Sequence, residues 1–310
     1  MAVQIGQLRC FLAVAQEQHF TRAARALGLA QPSVSALVRR LEGDVGTELF
    51  HRTKGRITLT AAGEALLPYA RRIVADVDAA QTQLREVGDV ARGRLAIGAT
   101  PSLAASLVPP VLARFHTAYP RIELALREAG SEDLVTAVEE GAVDVALVIL
   151  PVRHEILETL ALLREELVLA VAPEHPLAHR KTIAVADLRD VPLVMFREGY
   201  DLRTTTEAAC RAAGFAPTFA IEGGEMDGVL RLTAAGLGAA IVPSIVVGQA
   251  PTLRAIRIAQ PALTRTIGLA HRKDRRLSRA GQELVDTVRT LVRDRSWLEN
   301  TPPGLTALRA

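Results

Sequence analysis

Phe20-Thr21-Arg22-Ala23-Ala24-Arg25-Ala26-Leu27-Gly28-Leu29-Ala30-Gln31-Pro32-Ser33-Val34-Ser35 decides how this chain is read. The first eight residues form a short helical pattern whose paired alanines let another helix cross closely, and Gly28 suits a helix C-cap. Gln31-Pro32-Ser33 opens the next helix, with proline in the first turn, where its missing N–H costs nothing. Val34, Leu37, Val38, Leu41 and Val45 form the stripe this helix buries, and Gln31, Ser33, Ser35, Arg39 and Arg40 form its opposite face. Two helices joined by a tight turn place the early residues of the second in a major groove. There, glutamine can bond adenine twice and serine can reach a base edge or a phosphate.

Outward from this pair, Leu8, Phe11, Leu12 and Ala15 have the spacing of a preceding amphipathic helix, and Thr21 is the expected N-cap of the second. Leu49 to Leu59 reads as a short hairpin whose turn carries Arg52, Lys54 and Arg56, cations suited to phosphates or a minor groove. Within the first sixty residues Arg9, Arg22, Arg25, Arg39 and Arg40 add to these against only Glu17, Glu42, Asp44 and Glu48. A helical domain with a merely solvated basic face is the competing reading.

The longer run Phe20-Thr21-x-Ala23-Ala24-x-x-Leu27, Gln31-Pro32-Ser33-x-Ser35, Leu41-Glu42, Gly46-x-x-Leu49-Phe50-x-Arg52 and Leu59-Thr60-x-x-Gly63 resembles the LysR-type winged helix-turn-helix signature. The resemblance implies DNA recognition through Gln31, Pro32, Ser33 and Ser35, with Arg52 and its neighbours on the wing; Thr21, Arg39, Lys54 and Arg56 complete the candidate contacts. Many members carry polar residues directly after the second serine. Ala36 and Leu37 stand there in this chain, which moves specificity toward the wing and DNA shape.

A chain of 310 residues exceeds one ordinary core, and with 49% apolar and 23% charged residues it has a globular composition. No apolar stretch is long enough for a membrane span and no signal-peptide layout opens the chain, so a cytoplasmic protein without a membrane partner is expected. Cys10 and Cys210 are too few for a disulfide framework or a thiolate zinc site.

After the winged module (1–60), Leu66, Tyr69, Ile73, Val77, Ala80, Leu84 and Val87 recur in three- and four-residue steps, predicting a linker helix over 61–90 with a heptad-like seam; the resemblance implies that it dimerises, the alternative being that it packs on the chain's own domains. From Arg94 a parallel α/β rhythm is expected: strand 94–99, helix 103–119, strand 122–128, helix 131–140, strand 144–149, then a second cycle from Leu167. The layout resembles the two-lobed, periplasmic-binding-protein-like effector domain of the same family. It places this domain at 91–296, with lobe I at about 91–162 and 266–296, lobe II at about 163–265, a hinge near Leu162–Arg164 and Thr264–Thr266, and a flexible tail over 297–310.

Ligands in such sheets sit beyond the carboxyl ends of strands. That selects Thr100, Pro101, Ser102, Ser131, Leu150 and Pro151 on one side and Phe196, Tyr200, Asp201, Gly224 and Pro243 on the other; Arg197 and Arg203 read either as further carboxylate partners or as solvated loop arginines. A small, anionic co-inducer is expected, acting on a dimer or tetramer that binds double-stranded DNA; RNA polymerase is a further candidate partner.

Neither a cofactor nor a metal is expected, and no catalytic role. His175 and His179 flank Pro176 in a loop, and Gly236-Leu237-Gly238 follows a helix rather than a strand, the reverse of a dinucleotide fingerprint. Nucleophile-elbow and phosphate-loop motifs are missing from the sequence. A solute-binding protein of transport shares the two-lobed fold but needs a secretion signal and has no use for residues 1 to 60.

Overall fold

The computed structural model describes residues 3–53, 56–86, 93–152, 154–248, 250–294, 297 and 304–308. The chain forms two compact units, Met1–Asp89 with Glu139–Ala142, and Val90–Val138 with Val143–Ala310.

In the first unit, α1 (Ile5–Glu17), α2 (Phe20–Leu27) and α3 (Gln31–Val45) surround a core of Phe11, Val14, Ala23, Ala24, Val34, Val38 and Leu41. Gln7 is fully buried and donates to Asp44 Oδ2 at 2.9 Å, tying the first helix to the third. His19, not Thr21, caps α2: its Nδ1 accepts the Thr21 backbone N–H, and Thr21 already sits in the first turn because the helix starts at Phe20. Gly28 (φ 65°) and Gly46 (φ 74°) supply the left-handed residues that end α2 and α3. The predicted stripe on α3 holds except at its end, where Val45 lies past the core and is exposed.

Strands β1 (Phe50–Thr53) and β2 (Arg56–Leu59) pair antiparallel, Phe50 opposite Leu59, and lead into α4 (Ala61–Glu86). Phe50 anchors the wing, its ring 5.3 Å from Phe11 and edge-on to Phe20. Thr60 and Gly63 set the entry to α4. The Thr60 hydroxyl donates to Glu48 O and accepts the Gly63 N–H, and a Cβ at Gly63 would lie 2.2 Å from Leu49 O. Ala70 and Val74 pack into the core, whereas Tyr69, Ile73 and Ala80 of the predicted seam stay exposed. Lys54 and Val87 lie outside the described residues.

The second unit opens with β3 (Gly93–Ala99), α5 (Pro101–Ala105), α6 (Val108–Ala118), β4 (Ile122–Glu128), α7 (Ser131–Glu139) and β5 (Val145–Leu150), the strands parallel with β3 central. The single helix expected over 103–119 is two, because Pro109 and Pro110 fit the first turn of a new helix but cannot donate inside an old one. The strand expected at 167–172 is the far end of β6 (Leu157–Val171), fifteen residues long.

Beyond it come β7 (Thr182–Ala184), β8 (Leu193–Phe196), α8 (Asp201–Ala212), β9 (Phe219–Gly224), α9 (Met226–Ala234), β10 (Ala240–Pro243), α10 (Ser244–Val247), β11 (Arg254–Gln260), β12 (Thr264–Arg272), α11 (Arg279–Asp294) and β13 (Thr306–Ala307). The sheet is mixed rather than parallel. Its path runs β4-β3-β5-β12-β6-β11-β7, with β10 and β13 also on β6, while β8 and β9 pair apart from it. Residues 157–166 of β6 pair with β12 beside a core of Leu95, Ile97, Phe115, Leu284 and Val288. Residues 167–171 pair with β10 and β11 inside a second core of Val168, Phe196, Val229, Ile241 and Ile256. One strand thus serves two lobes.

The expected free tail is corrected for its described part: Leu305 is buried, Thr306 and Ala307 pair with Arg164 and Leu163, and Trp297 packs against both cores. Backbone donors along that edge of β6 are satisfied by this pairing, which is what draws the tail in.

Candidate DNA-reading surface and ligand site

On α3 the apolar residues turn inward and the polar ones outward. Gln31, Pro32 and Ser33 are exposed in the first turn and Ser35 is half-buried; Arg39, exposed one turn further on, has no partner among the described residues, and neither do Arg25 and Arg40. Glutamine and serine donors, backed by unneutralised guanidinium groups, make a surface that can meet bases and phosphates together. Thr21 is exposed nearby at the start of α2.

Arg52 behaves differently from the other candidate contacts. Its Nη2 donates to Glu42 Oε2, and its guanidinium lies 5.7 Å from the Phe20 ring centroid. Glu42 also accepts the Leu49 N–H at 3.0 Å, so this carboxylate fastens both the wing and the loop before it to α3. The Leu41-Glu42 and Arg52 positions of the motif therefore have an internal task. Of Arg56 only the backbone is described.

In the second unit the ends of β3, β5, β8 and β10, the middle of β6 and the start of β12 converge on a polar cluster. Arg265 is its centre: Nε donates to Glu165 Oε2 at 2.8 Å and Nη2 to Ser102 Oγ at 2.9 Å, with Glu165 wholly buried. The other oxygen of Glu165 accepts the Ile245 N–H at 2.9 Å, linking β6 to the start of α10. A short chain of bonds thus joins Ser102 of one lobe to α10 of the other. Around it, Thr100 Oγ1, Tyr200 Oη and Ser244 Oγ are buried with no hydrogen-bond partner among the described residues. Burial and the nearby Glu225 and Glu128 carboxylates hold the Tyr200 phenol far above its ordinary pKa, so it is a neutral O–H donor.

Ser131 adds a second link. Its Oγ accepts the Ile149 N–H at 3.1 Å and donates to Asp201 Oδ2 at 3.2 Å, bridging α7 of one lobe to α8 of the other. Beside this cluster a groove of about 620 Å³ opens between α5–β4 and α9–α10, lined among others by Pro101, Leu126, Glu128, Glu225, Met226 and Leu230.

The structure brings Thr100, Pro101, Ser102, Ser131, Tyr200 and Asp201 together and gives other candidates framework roles. Leu150 packs over Gly268, where a Cβ would lie 2.4 Å from Leu150 Cδ1. Pro151 follows it, exposed. Phe196 is core and stacks on Tyr200 at 4.7 Å; Gly224 makes room for Val229; Pro243 ends β10, buried. Arg197 and Arg203 are paired within the protein, the first with Glu225 and the second with Glu207 and Glu222.

Arg265, Glu165, Ser244 and Glu128 were missed. Charged residues inside the otherwise apolar strands 157–171 and 264–272 were the available signal. His175 is spent on its own turn, accepting the Leu177 N–H. Among the described residues no group of three or more His, Cys, Asp or Glu could hold a metal, and no helix is long and apolar enough to cross a membrane.

A winged helix-turn-helix followed by a two-lobed α/β unit with a polar interlobe cluster is the build of a ligand-responsive transcriptional regulator. Residues 5–64 match the family model "Bacterial regulatory helix-turn-helix protein, lysR family", and residues 88–293 match "LysR substrate binding domain". The chain belongs to the LysR family: it is a DNA-binding transcriptional regulator with an effector-binding domain, not an enzyme. It is 32% identical over 289 residues to the "Transcriptional dual regulator GltC" of Bacillus subtilis, covering 92% of this chain and 96% of that one. It is 33% identical over 296 residues to a "Probable hydrogen peroxide-inducible genes activator" of Streptomyces viridosporus, covering 94% and 95%. Among solved structures, full-length CbnR complexed with its target DNA superposes with TM-score 0.68 at 28% identity, over 93% of this chain and 99% of that one. A full-length OxyR variant from Pseudomonas aeruginosa shares the fold at TM-score 0.74 and 24% identity, over the whole of both chains.

Proposed function

We propose that this regulator works in the cytoplasm as a dimer or tetramer and answers to a small anionic effector held in the interlobe cluster. The observation that carries the reading is the set of three buried hydroxyls around Arg265 that have no hydrogen-bond partner among the described residues. Leaving such groups dry costs roughly 1–3 kcal/mol each, and a ligand offering oxygen acceptors would recover that cost. Arg265 can supply the charge-assisted bonds, because three of its five N–H groups are accepted by no described residue.

On the DNA side, Gln31, Ser33 and Ser35 are assigned to base edges, with Thr21, Pro32 and Arg39 positioning the helix and Lys54 and Arg56 following the wing. Arg52 acts chiefly by fixing that wing. The exposed Tyr69, Ile73 and Ala80 of α4 are the expected self-association face, and two copies would read two half-sites.

The peroxide response named for several relatives finds no support in the thiols of this chain. Cys10 and Cys210 fall in different units, and burial keeps each thiol above its ordinary pKa, away from reactive thiolate.

The test is mobility-shift titration of the full chain on its own upstream intergenic DNA, with and without a panel of organic acids. Binding that weakens steeply with salt, and that at least one acid alters, is expected. Indifference to every acid, with no change in melting temperature, would remove the effector reading.

A further inference from the structure

We infer that residues 304–308 are a strap that clamps the effector domain where β6 passes from one lobe to the other, and that undocking them frees the lobes to move. The inference concerns the mechanics of the domain and holds whichever effector the interlobe site takes.

A strand has two edges, and over residues 163–166 one edge of β6 is filled by β12. The other edge carries β11 only from Val168 onward, so the backbone just before the crossing depends on something else to cover it. Thr306 and Ala307 do so opposite Arg164 and Leu163, and the Leu308 N–H donates to Leu162 O at 2.9 Å. The segment thus carries the line of β11 back across the boundary between the lobes. Edge groups left open there would lose their partners, which favours the docked state.

The strap is anchored along its length. Leu305 is buried in the core that contains Phe115 and Leu284, and Trp297, earlier in the chain, packs against that core and against the one that contains Phe196 and Ile241. Gly304 passes hard against Glu166, where a Cβ would lie 2.4 Å from the side-chain Cγ and Cδ, and its φ of 76° is one that side chains rarely adopt. Glu166 cannot readily step aside, because Arg257 of β11 donates to both of its oxygens at 2.7 Å. Glycine at 304 is therefore a condition of docking.

Placed on an outer edge of either sheet, such a segment would stabilise one lobe alone. At the crossing it forms part of the ladder that any change in lobe arrangement has to distort. Its paired stretch is short, so it can be released while both cores stay folded.

The experiment uses the full-length protein, its Gly304→Val variant, and a chain ending at Pro303. Hydrogen exchange reads the docking: amides of residues 162–164 should exchange on the order of tenfold or more faster in both altered proteins, with β5 as protected as before. Lobe movement is read by pulsed spin-label distances between Ala113→Cys and Ala216→Cys, one exposed site on each lobe; Cys10 and Cys210 are buried and escape labelling. Labelled protein is diluted with unlabelled protein so that distances within one chain are read. The distribution should be at least roughly 1.5 times as wide once the strap is released.

Faster exchange at 162–164 with an unaltered distance distribution would overturn the clamp and leave the segment a mere edge cover. Unchanged exchange in the shortened chain would overturn the docking itself. Loss of protection in β5 in both altered proteins would overturn the clamp as well, by showing that residues 304–308 are needed for the fold of their own lobe.

Discussion

The two functional surfaces of this regulator hold their polar groups in opposite ways. On α3 of the DNA-binding unit, the candidate contacts Gln31, Ser33 and Arg39 stand in solvent, where water satisfies them at little cost. In the effector unit, Thr100, Tyr200 and Ser244 lie inside with no hydrogen-bond partner among the described residues, beside an ion pair whose Glu165 is wholly buried. Solvated groups give up little stability and read whatever docks. Buried orphan groups cost stability in the empty state, and that cost is what a ligand can return as a conformational bias.

The contrast breaks most visibly at the ion pair. Glu165→Ala leaves the Arg265 guanidinium buried without its counter-charge and frees the Ile245 N–H; a loss of about 3–5 kcal/mol, read as a large fall in melting temperature, is expected. An unchanged melting temperature would mean that solvent reaches Arg265. In the first unit, Gly63→Ala forces a Cβ against the Leu49 carbonyl, and denaturant unfolding should show a loss of roughly 1–3 kcal/mol.

Gln31→Ala should leave stability unaltered while costing about 1–3 kcal/mol of operator affinity, with relaxed preference at one base pair. Set beside it, Arg52→Ala should lower the melting temperature, because its carboxylate partner Glu42 is nearly buried; Arg39→Ala should not, and should reduce the salt slope of binding by about one. The smallest effect is the most diagnostic. Thr100→Val removes a hydroxyl with no hydrogen-bond partner among the described residues, so the empty protein should be unchanged or more stable by up to about 1 kcal/mol while its response to effector is lost. A clear destabilisation would show that the hydroxyl already has a partner.

Much of the first unit was legible because its contacts are local. The Gly28 turn, the Pro32 start and the stripe of α3 follow from short-range rules. Even the Thr60 and Gly63 positions of the motif mark a real close approach, although the residue they approach, Leu49, could not be read from them. Position along the chain misled at Thr21, where a histidine ring nitrogen took the capping role usually given to hydroxyls and carboxylates. It also misled at Arg52, whose charge reads as free in one dimension and is offset in three.

The second site was legible only in outline. Strand ends pointed to Thr100, Ser102, Ser131, Tyr200 and Asp201, since loops after parallel strands gather at one edge. Arg265 and Glu165 stand a hundred residues apart in neighbouring strands and form a pair only through the β6–β12 register, which no local pattern encodes. Leu150, Phe196, Gly224 and Pro243 occupy the right neighbourhood and serve its packing, a distinction that spacing alone does not make.

The unbroken course of β6 through both lobes, with β12 bonded alongside from Thr264 to Arg272, also sets the kind of motion open to the effector domain. β12 keeps to residues 157–166 of β6, and the chain passes from β11 of the other lobe into β12 through residues 261–263, so the lobes are joined by one continuous strand, which acts as a leaf spring, and one short connection beside it. Tilting one lobe against the other would bend β6 near Glu166 and Leu167, where its partners change from β12 to β10 and β11, a geometry that favours shallow, elastic flexure over a wide swing.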